Sequence, residues 1–244
     1  MGISSREHGS VSWDEAFADR YEEWSADMTA DVAFYVGLAR EADGPLVELA
    51  VGNGRVAIPV ALATGRPVIG IDSSPAMLAH AHARAARAGV VLDLRQGDMR
   101  DLALDEPAAL IYCPFRALLH LPGWADRRRT FERVLASLRP GGRFAWNAFA
   151  FDHQIAARLD GELRQEPVPH TNRYSVGDNR IDIILGNGAK SSLWWATKNE
   201  WLGLIDASGL ELEALYGGFA RGPFTDKSRE YVFIARRPHS GSTR

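Results

Sequence analysis

The run VELAVGNGRVAIPVA, residues 47–61, sets a turn with two glycines between an apolar strand-like segment and an apolar helix-like one. That junction leaves few architectures open. A strand buried on both faces reads as a near-continuous apolar run, because helices cover the parallel sheet it enters. Further runs of this kind follow at helix-length intervals: RPVIGID, VVLDLRQ, AALIYC and GRFAWNAFA. Alternation from about 46 to 150 predicts an α/β unit in which each crossover helix returns the chain to a parallel sheet. With Val47 to Ala50 as the first strand, Gly52 and Gly54 fall at its carboxyl end, where open α/β sheets bind ligands.

Helix boundaries are marked chemically. Ser74 caps a helix with Pro75 at its first position, and Gly89 closes it, bounding PAMLAHAHARAARA. Phe131, Val134, Leu135 and Leu138 recur at helical spacing before the stop RPGG at 139–142. Beyond about 153, Pro167 and Pro169 lie in a loop, and NRIDIILGNGAKSSLWWA reads as an antiparallel hairpin. Thr197 and Glu200 form a capping box that opens KNEWLGLIDASG, after which LELEALYG and REYVFIARR supply two last strands. Residues 13–40 are a helical, aromatic-rich preface placed over the open edge of the sheet. The expected division is therefore a helical cap at 13–40, a core at 46–150, an insertion at 151–200 and a C-terminal helix with strands at 201–236.

A formal net charge of −3 gives the chain no overall positive field, which excludes nucleic acid and an anionic membrane surface as partners. The single cysteine, Cys113, builds neither an internal disulfide nor a cysteine-rich metal cage, and no H-E-x-x-H motif is present, so no metal is expected. No run approaches the roughly 18 apolar residues of a membrane span, and the start MGISSREHGS lacks a signal core. A cytoplasmic monomer or homodimer is expected.

GNGRVA fits a loose G-x-G-x-x-[GA] pattern, and Asp72 lies twenty residues after Gly52, the acid spacing of a dinucleotide site. An NAD(P)-dependent oxidoreductase is thus one reading. It lacks hydride-transfer apparatus of the Tyr-x-x-x-Lys kind, since none of Lys190, Lys198 and Lys227 stands four residues after a tyrosine. Two further acids point elsewhere. Glu48, inside the first strand, is suited to the cationic amino end of a ligand, which dinucleotides lack. Asp98, after the third strand, offers an acceptor to an exocyclic adenine amine. Duller roles are a turn cap for Asp72 or Asp98, and an ion pair with Arg55 for Glu48.

VELAVGNGR resembles motif I of the class I S-adenosylmethionine-dependent methyltransferases of small-molecule type. VIGIDSSPAML, QGDMRDL and LRPGGRFAWN resemble the segments that follow it in that family, in the same order. The resemblance implies a Rossmann-like sheet of seven mostly parallel strands with an antiparallel last strand, helices on both faces and a small antiparallel β insertion. It implies S-adenosylmethionine as cofactor, S-adenosylhomocysteine as product, and a small molecule methylated at N, O or C by in-line displacement. Asp72 then binds the ribose hydroxyls and Asp98 with Met99 the adenine. Gly52 and Gly54 line the methionine moiety, while Glu48 orders that loop. Arg55 and Cys113 flank the same ligand. Ala50 stands where glycine is usual, and Ser73 where a larger apolar residue is frequent, which shifts adenine packing to Met77 and Met99. A cofactor-binding protein without turnover is the remaining alternative.

The stretch YCPFRALLHLPG, 112–123, belongs beside the transferable group. His120 is its general-base candidate, since imidazole titrates near neutrality; a similar histidine stands in some amino-sugar N-methyltransferases. Phe115 and Arg116 are placed on the acceptor, Arg116 toward an anionic one. Tyr21 is expected to close over the cofactor. Tyr174 and Trp195, with His153 and His170 as looser candidates, are expected to shape the acceptor pocket from the insertion. Arg127 to Arg129 read as the solvated face of a helix.

Overall fold

The computed structural model describes residues 29–239; Tyr21 and most of the expected preface, residues 13–28, lie outside the described residues. Helix α1 (Ala30–Glu41) precedes β1 (Leu46–Leu49), and the chain then alternates through α2 (Ala57–Thr64), β2 (Val68–Asp72), α3 (Pro75–Ala88), β3 (Leu92–Gln96), β4 (Ala108–Cys113), α4 (Trp124–Ser137) and β5 (Leu138–Phe149). Among the described residues these strands join β10 (Glu211–Tyr216) and β11 (Glu230–Arg236) in one seven-stranded sheet, ordered β10-β11-β5-β4-β1-β2-β3. β11 runs antiparallel to both of its neighbours, and every other pairing in the sheet is parallel. The direction of winding reverses between β1 and β4, the point at which such sheets open a ligand crevice.

Both faces are covered, as the apolar strands require. Phe144 and Trp146 of β5 stack at 4.8 Å, and Trp146 stacks on Phe233 of β11 at 4.9 Å, on the face closed by α4 and α6 (Lys198–Ser208). On the other face Phe34, Tyr35 and Leu38 of α1 pack with α2 and α3. The period of two in β5 separates the layers: Phe144 and Trp146 point one way, while Ala145 and Asn147 point toward α1.

Several local expectations hold in detail. The Ser74 hydroxyl accepts from the Met77 backbone, Pro75 opens α3, and Gly89 closes it at φ 67°. The Thr197–Glu200 capping box is complete on α6. The helix before RPGG ends earlier than expected: α4 stops at Ser137, and Leu138 and RPGG lie inside β5, whose register shifts against β4 between Ala108 and Leu110.

The insertion is larger than the expected hairpin. β6 (Leu163–Arg164), β7 (His170–Ser175), β8 (Arg180–Leu185) and β9 (Lys190–Trp194) form a four-stranded antiparallel sheet, entered through the short helix α5 (His153–Leu159). His170, a looser candidate for the acceptor pocket, is buried in β7, and its Nδ1 lies 2.8 Å from the Val168 carbonyl. The arginine run also departs from its expectation. Arg128 and Arg129 pair with Glu132 and Asp101, but Arg127 is 5% exposed, lies over the Trp201 ring at 5.2 Å and donates to the Trp194 carbonyl. Burial pushes its guanidinium down to about 10.

Candidate active site

A crevice of about 900 Å³, counting its open mouth, lies at the carboxyl ends of β1, β2 and β4. One wall is the turn after β1. Asp72 anchors this turn: its Oδ2 accepts from the Gly52 N–H at 2.8 Å and its Oδ1 from the Ser74 N–H at 2.9 Å. An ionised carboxylate accepts more than one donor at each oxygen, so the anchor and a ligand hydroxyl are compatible. Ala50, Gly52, Asp72, Ser73 and Met77 all line the crevice, as the sequence led us to expect.

Ala50 adopts φ 54°, in the left-handed region that Gly52 shares at the same value. The methyl of an L-residue is strained there by about 1–2 kcal/mol. Ala50→Gly is therefore expected to raise the unfolding free energy by about 1 kcal/mol despite the freer unfolded chain, as measured by urea denaturation; a destabilised variant contradicts the strain.

The second wall follows β3. Asp98 caps the 3₁₀ turn at Met99–Asp101 by accepting from the Arg100 N–H at 2.8 Å, and it also receives the Arg100 guanidinium at 2.6 Å. Burial pushes the Asp98 carboxyl up, but these hydrogen bonds outweigh it and hold the group below its usual range. Asp98 is thus both a turn cap and a wall of the crevice, beside Met99. Arg100 also lines it and was not singled out from the sequence, although a base two residues after a capping acid is a readable signal.

The third wall is the loop after β4, with Pro114, Phe115 and Ala117, then His120, Leu121 and Pro122. Phe115 and Arg116 both take left-handed backbone, φ 58° and 62°. Strain of this kind persists only where the surroundings hold it, and here a clamp of polar groups does so. The Asn147 Oδ1 accepts from the Tyr35 hydroxyl at 3.1 Å and from the Arg116 N–H at 3.4 Å; its Nδ2 donates to Glu230 at 2.6 Å. Glu230 in turn receives the Arg116 guanidinium, 2.6 Å at the closest pair. Arg116 is therefore bound to a carboxylate of β11 and is not among the residues lining the crevice, contrary to the expected substrate contact.

His120 does line it, but not as the neutral-range base expected. Burial lowers its imidazole to about 4, although a hydrogen bond with the Ser192 backbone of β9 pulls the other way. The insertion sheet thus touches the crevice through Ser192. Tyr174 and Trp195 are placed elsewhere: Trp195 stacks on Phe151 at 3.9 Å and is buried, and Tyr174 packs at the same ring.

Other expected residues surround the crevice without lining it. Glu48 is 1% exposed beneath the turn, in register with Tyr112 of β4, and burial pushes its carboxyl well above the usual range. Tyr112 is its nearest bonding group, yet Glu48 Oε2 and the Tyr112 hydroxyl both stay buried without a hydrogen bond of good geometry. Arg55 is bound by Asp31 of α1, and its charge favours the ionised form of Glu48 without offsetting burial. Gly54, at φ 78°, closes the turn by donating to the Val51 carbonyl at 2.9 Å. Cys113 is fully buried, which pushes its thiol up. Among the described residues no group of three or more His, Cys, Asp or Glu is arranged to hold a metal ion, and no helix is long and apolar enough to cross a membrane.

Residues 46–142 match the family model described as "Methyltransferase domain". The chain is 28% identical over 163 residues to the glycine/sarcosine N-methyltransferase of Parasynechococcus marenigrum, covering 64% of this chain and 56% of that protein. It thus spans only about half the length of that curated relative. It is 24% identical to the cypemycin N-terminal methyltransferase of a Streptomyces species, over 92% of this chain and 97% of that one. The solved structure of the CcbJ methyltransferase from Streptomyces caelestis superposes with a TM-score of 0.75 at 26% identity, covering 91% of this chain and 96% of the other.

Proposed function

Because the chain carries a class I S-adenosylmethionine-dependent methyltransferase domain, we propose that it transfers the methyl group of this cofactor to a nitrogen, oxygen or carbon of a small molecule by in-line displacement. The cofactor supplies, when bound, an electrophilic methyl on a sulfonium. The observation that carries the reading is the Asp72 carboxylate, which ties the glycine turn to the end of β2 and lines the same crevice as Asp98, Met77 and Met99. An acid for the ribose, a second acid for the adenine amine and two thioethers for its faces suit an adenosyl group. We assign residues 46–150 as the cofactor core, 151–200 as the acceptor-side insertion and 201–236 as the closing helix and strands; most of the expected cap, 13–40, lies outside the described residues.

The chain's own part in the transfer is alignment and exclusion of water. Pro114, Phe115, Ala117, Leu121 and Pro122 give the acceptor end an apolar lining. His120 is the polar group there, and at neutral pH its ring is uncharged. An imidazole near 4 is too weak to hold the proton of an ordinary alkylammonium. Each pKa unit of mismatch costs about 1.4 kcal/mol, so the depressed imidazole makes full proton transfer to His120 unfavourable. In this reading His120 accepts a hydrogen bond from the acceptor N–H or O–H and orients its lone pair, the acceptor binds uncharged, and the product proton leaves to solvent. The experiment is an untargeted mass-spectrometric search of a metabolite extract for products heavier by about 14 daltons that require both protein and cofactor. Cofactor binding without such a product across the extract favours the non-catalytic alternative.

A further inference from the structure

Among the described residues β9 is an edge strand, paired with β8 alone. Its ladder fixes which backbone groups are left over. At the two ends of the β8–β9 hairpin the Trp195 N–H donates to the Asn179 carbonyl at 2.8 Å and the Leu185 N–H to the Ala189 carbonyl at 2.9 Å. In the register that sets Leu193 opposite Ile181 and Ser192 opposite Asp182, the odd-numbered residues of β9 therefore exchange bonds with β8. The even-numbered ones turn their N–H and C=O groups away from it. Ser192 and Trp194 thus present carbonyls at the open edge, on the same side of the strand.

Both carbonyls are taken by side chains of one stretch of chain. β9 packs against the 3₁₀ turn Ala117–His120, where His120 bonds the Ser192 backbone, and in the first turns of α4 Arg127 donates to the Trp194 carbonyl. The Ser192 bond favours the protonated imidazole, so the ring N–H donates and the carbonyl accepts. A neutral imidazole has one donor and one acceptor nitrogen. This carbonyl therefore decides which nitrogen carries the proton and leaves the accepting role to the other.

As a mere brace Arg127 is poorly made. It is buried over the Trp201 ring of α6, its Nε has no hydrogen-bond partner, and the acids whose charge it feels are Glu200 and Asp126. Taking a cation out of water costs more than a bond to a neutral carbonyl returns, and an apolar side chain packs on Trp201 without that penalty. What the guanidinium adds is one hydrogen bond at a defined point of β9. We propose that Arg127 is a positioning residue: by pinning the open edge of β9 at Trp194 it holds the Ser192 carbonyl on His120, and so fixes the tautomer that His120 presents to the acceptor. This rests on the reading of the crevice as the site of methyl transfer. It gives the insertion sheet a part in the reaction, although none of its side chains is among those that line the crevice.

The test is nitrogen-15 NMR of the His120 ring at neutral pH in the full chain, with the signals assigned by their loss in His120→Phe. In the unaltered chain the ring is expected to give one N–H and one lone-pair signal, well separated, as a single tautomer does. In Arg127→Met the two are expected to draw together as the tautomers mix, while the S-adenosylhomocysteine affinity, read by calorimetric titration, stays within about twofold. Arg127→Lys, which keeps a cation and a donor, is expected to restore part of the separation. Arg127→Gln, too short to reach the same carbonyl, serves if Arg127→Met does not fold. A side chain that only braces the fold lowers the urea midpoint and leaves the ring signals where they are. Unmoved ring signals in the folded variant, averaged signals already in the unaltered chain, or a loss of S-adenosylhomocysteine affinity beyond about tenfold overturn the proposal. If the unaltered chain does not bind S-adenosylhomocysteine, the methyl-transfer reading fails instead, and the ring signals still report on Arg127, so the two failures are told apart.

Discussion

Asp72→Ala is expected to weaken S-adenosylhomocysteine binding by about 100-fold. Charge-assisted hydrogen bonds contribute about 1.5–3 kcal/mol, which is roughly 10- to 150-fold at about 1.4 kcal/mol per decade. The structure places the effect toward the upper end, because the same carboxylate holds the Gly52 and Ser74 amides at 2.8 and 2.9 Å. Removing it therefore strips the ribose of its acceptor and also releases the turn that forms the wall. Asp72→Asn separates these parts: its carbonyl oxygen keeps one amide, its NH₂ opposes the other, and an intermediate loss is expected. Calorimetric titration reads both variants, and an affinity within about threefold of the unaltered chain removes the ribose assignment.

His120→Ala is expected to lower turnover by about 100-fold or more, within the range found for positioned acid, base and hydrogen-bonding groups, while the S-adenosylhomocysteine affinity stays unchanged. The pH profile then distinguishes what His120 does. Its folded-state pKa of about 4 lies below the ordinary imidazole value, so the ring stays neutral from neutrality down to that point. The acid limb of kcat/KM that belongs to His120 is expected near pH 4, and a limb near 6.5 that vanishes in His120→Ala contradicts the buried setting. The same shift bears on stability. Below about 6.5, the ordinary histidine value, the unfolded chain takes up a proton that the folded ring refuses, so stability falls as pH drops from there toward 4. His120→Phe is expected to flatten that decline, measured as the midpoint of urea unfolding at pH 7 and pH 5.

How much of this was legible depends on how local each signal is. The parallel strands were readable because β4, AALIYC, is buried along its whole length, and burial on both faces shows as an unbroken apolar run. Ser74, Pro75 and Gly89 were readable because caps act within a turn or two of themselves. β7 was not, since HTNRYS is polar and becomes a strand only through its pairing with β8, whose register runs from His170 opposite Leu185 to Ser175 opposite Arg180 at the turn. Arg127 was misread from the charge run around it, although it sits four and seven residues before Phe131 and Val134 on the helix face that enters the core. Arg116 shows the other limit. Its partner Glu230 is 114 residues away, across the antiparallel strand that closes the sheet, and nothing near Arg116 announces it. On the strand-end side Ala50, Gly52, Asp72, Ser73, Met77, Asp98 and Met99 do line the crevice, because the ends of neighbouring parallel strands lie side by side. It was read poorly on the acceptor side, where Tyr174 and Trp195 belong to the packing of the second sheet. His120 was found by its place after β4, but its titration was not, because burial is set by the folded chain around it and not by its neighbours in sequence.

If the crevice between β1 and β4 recognises an adenosyl amino acid and not a dinucleotide, titration of the unaltered chain with S-adenosylhomocysteine, and separately with NAD, gives saturable binding of the first with one site per chain and no measurable heat from the second. Saturable binding of NAD with none of S-adenosylhomocysteine contradicts it.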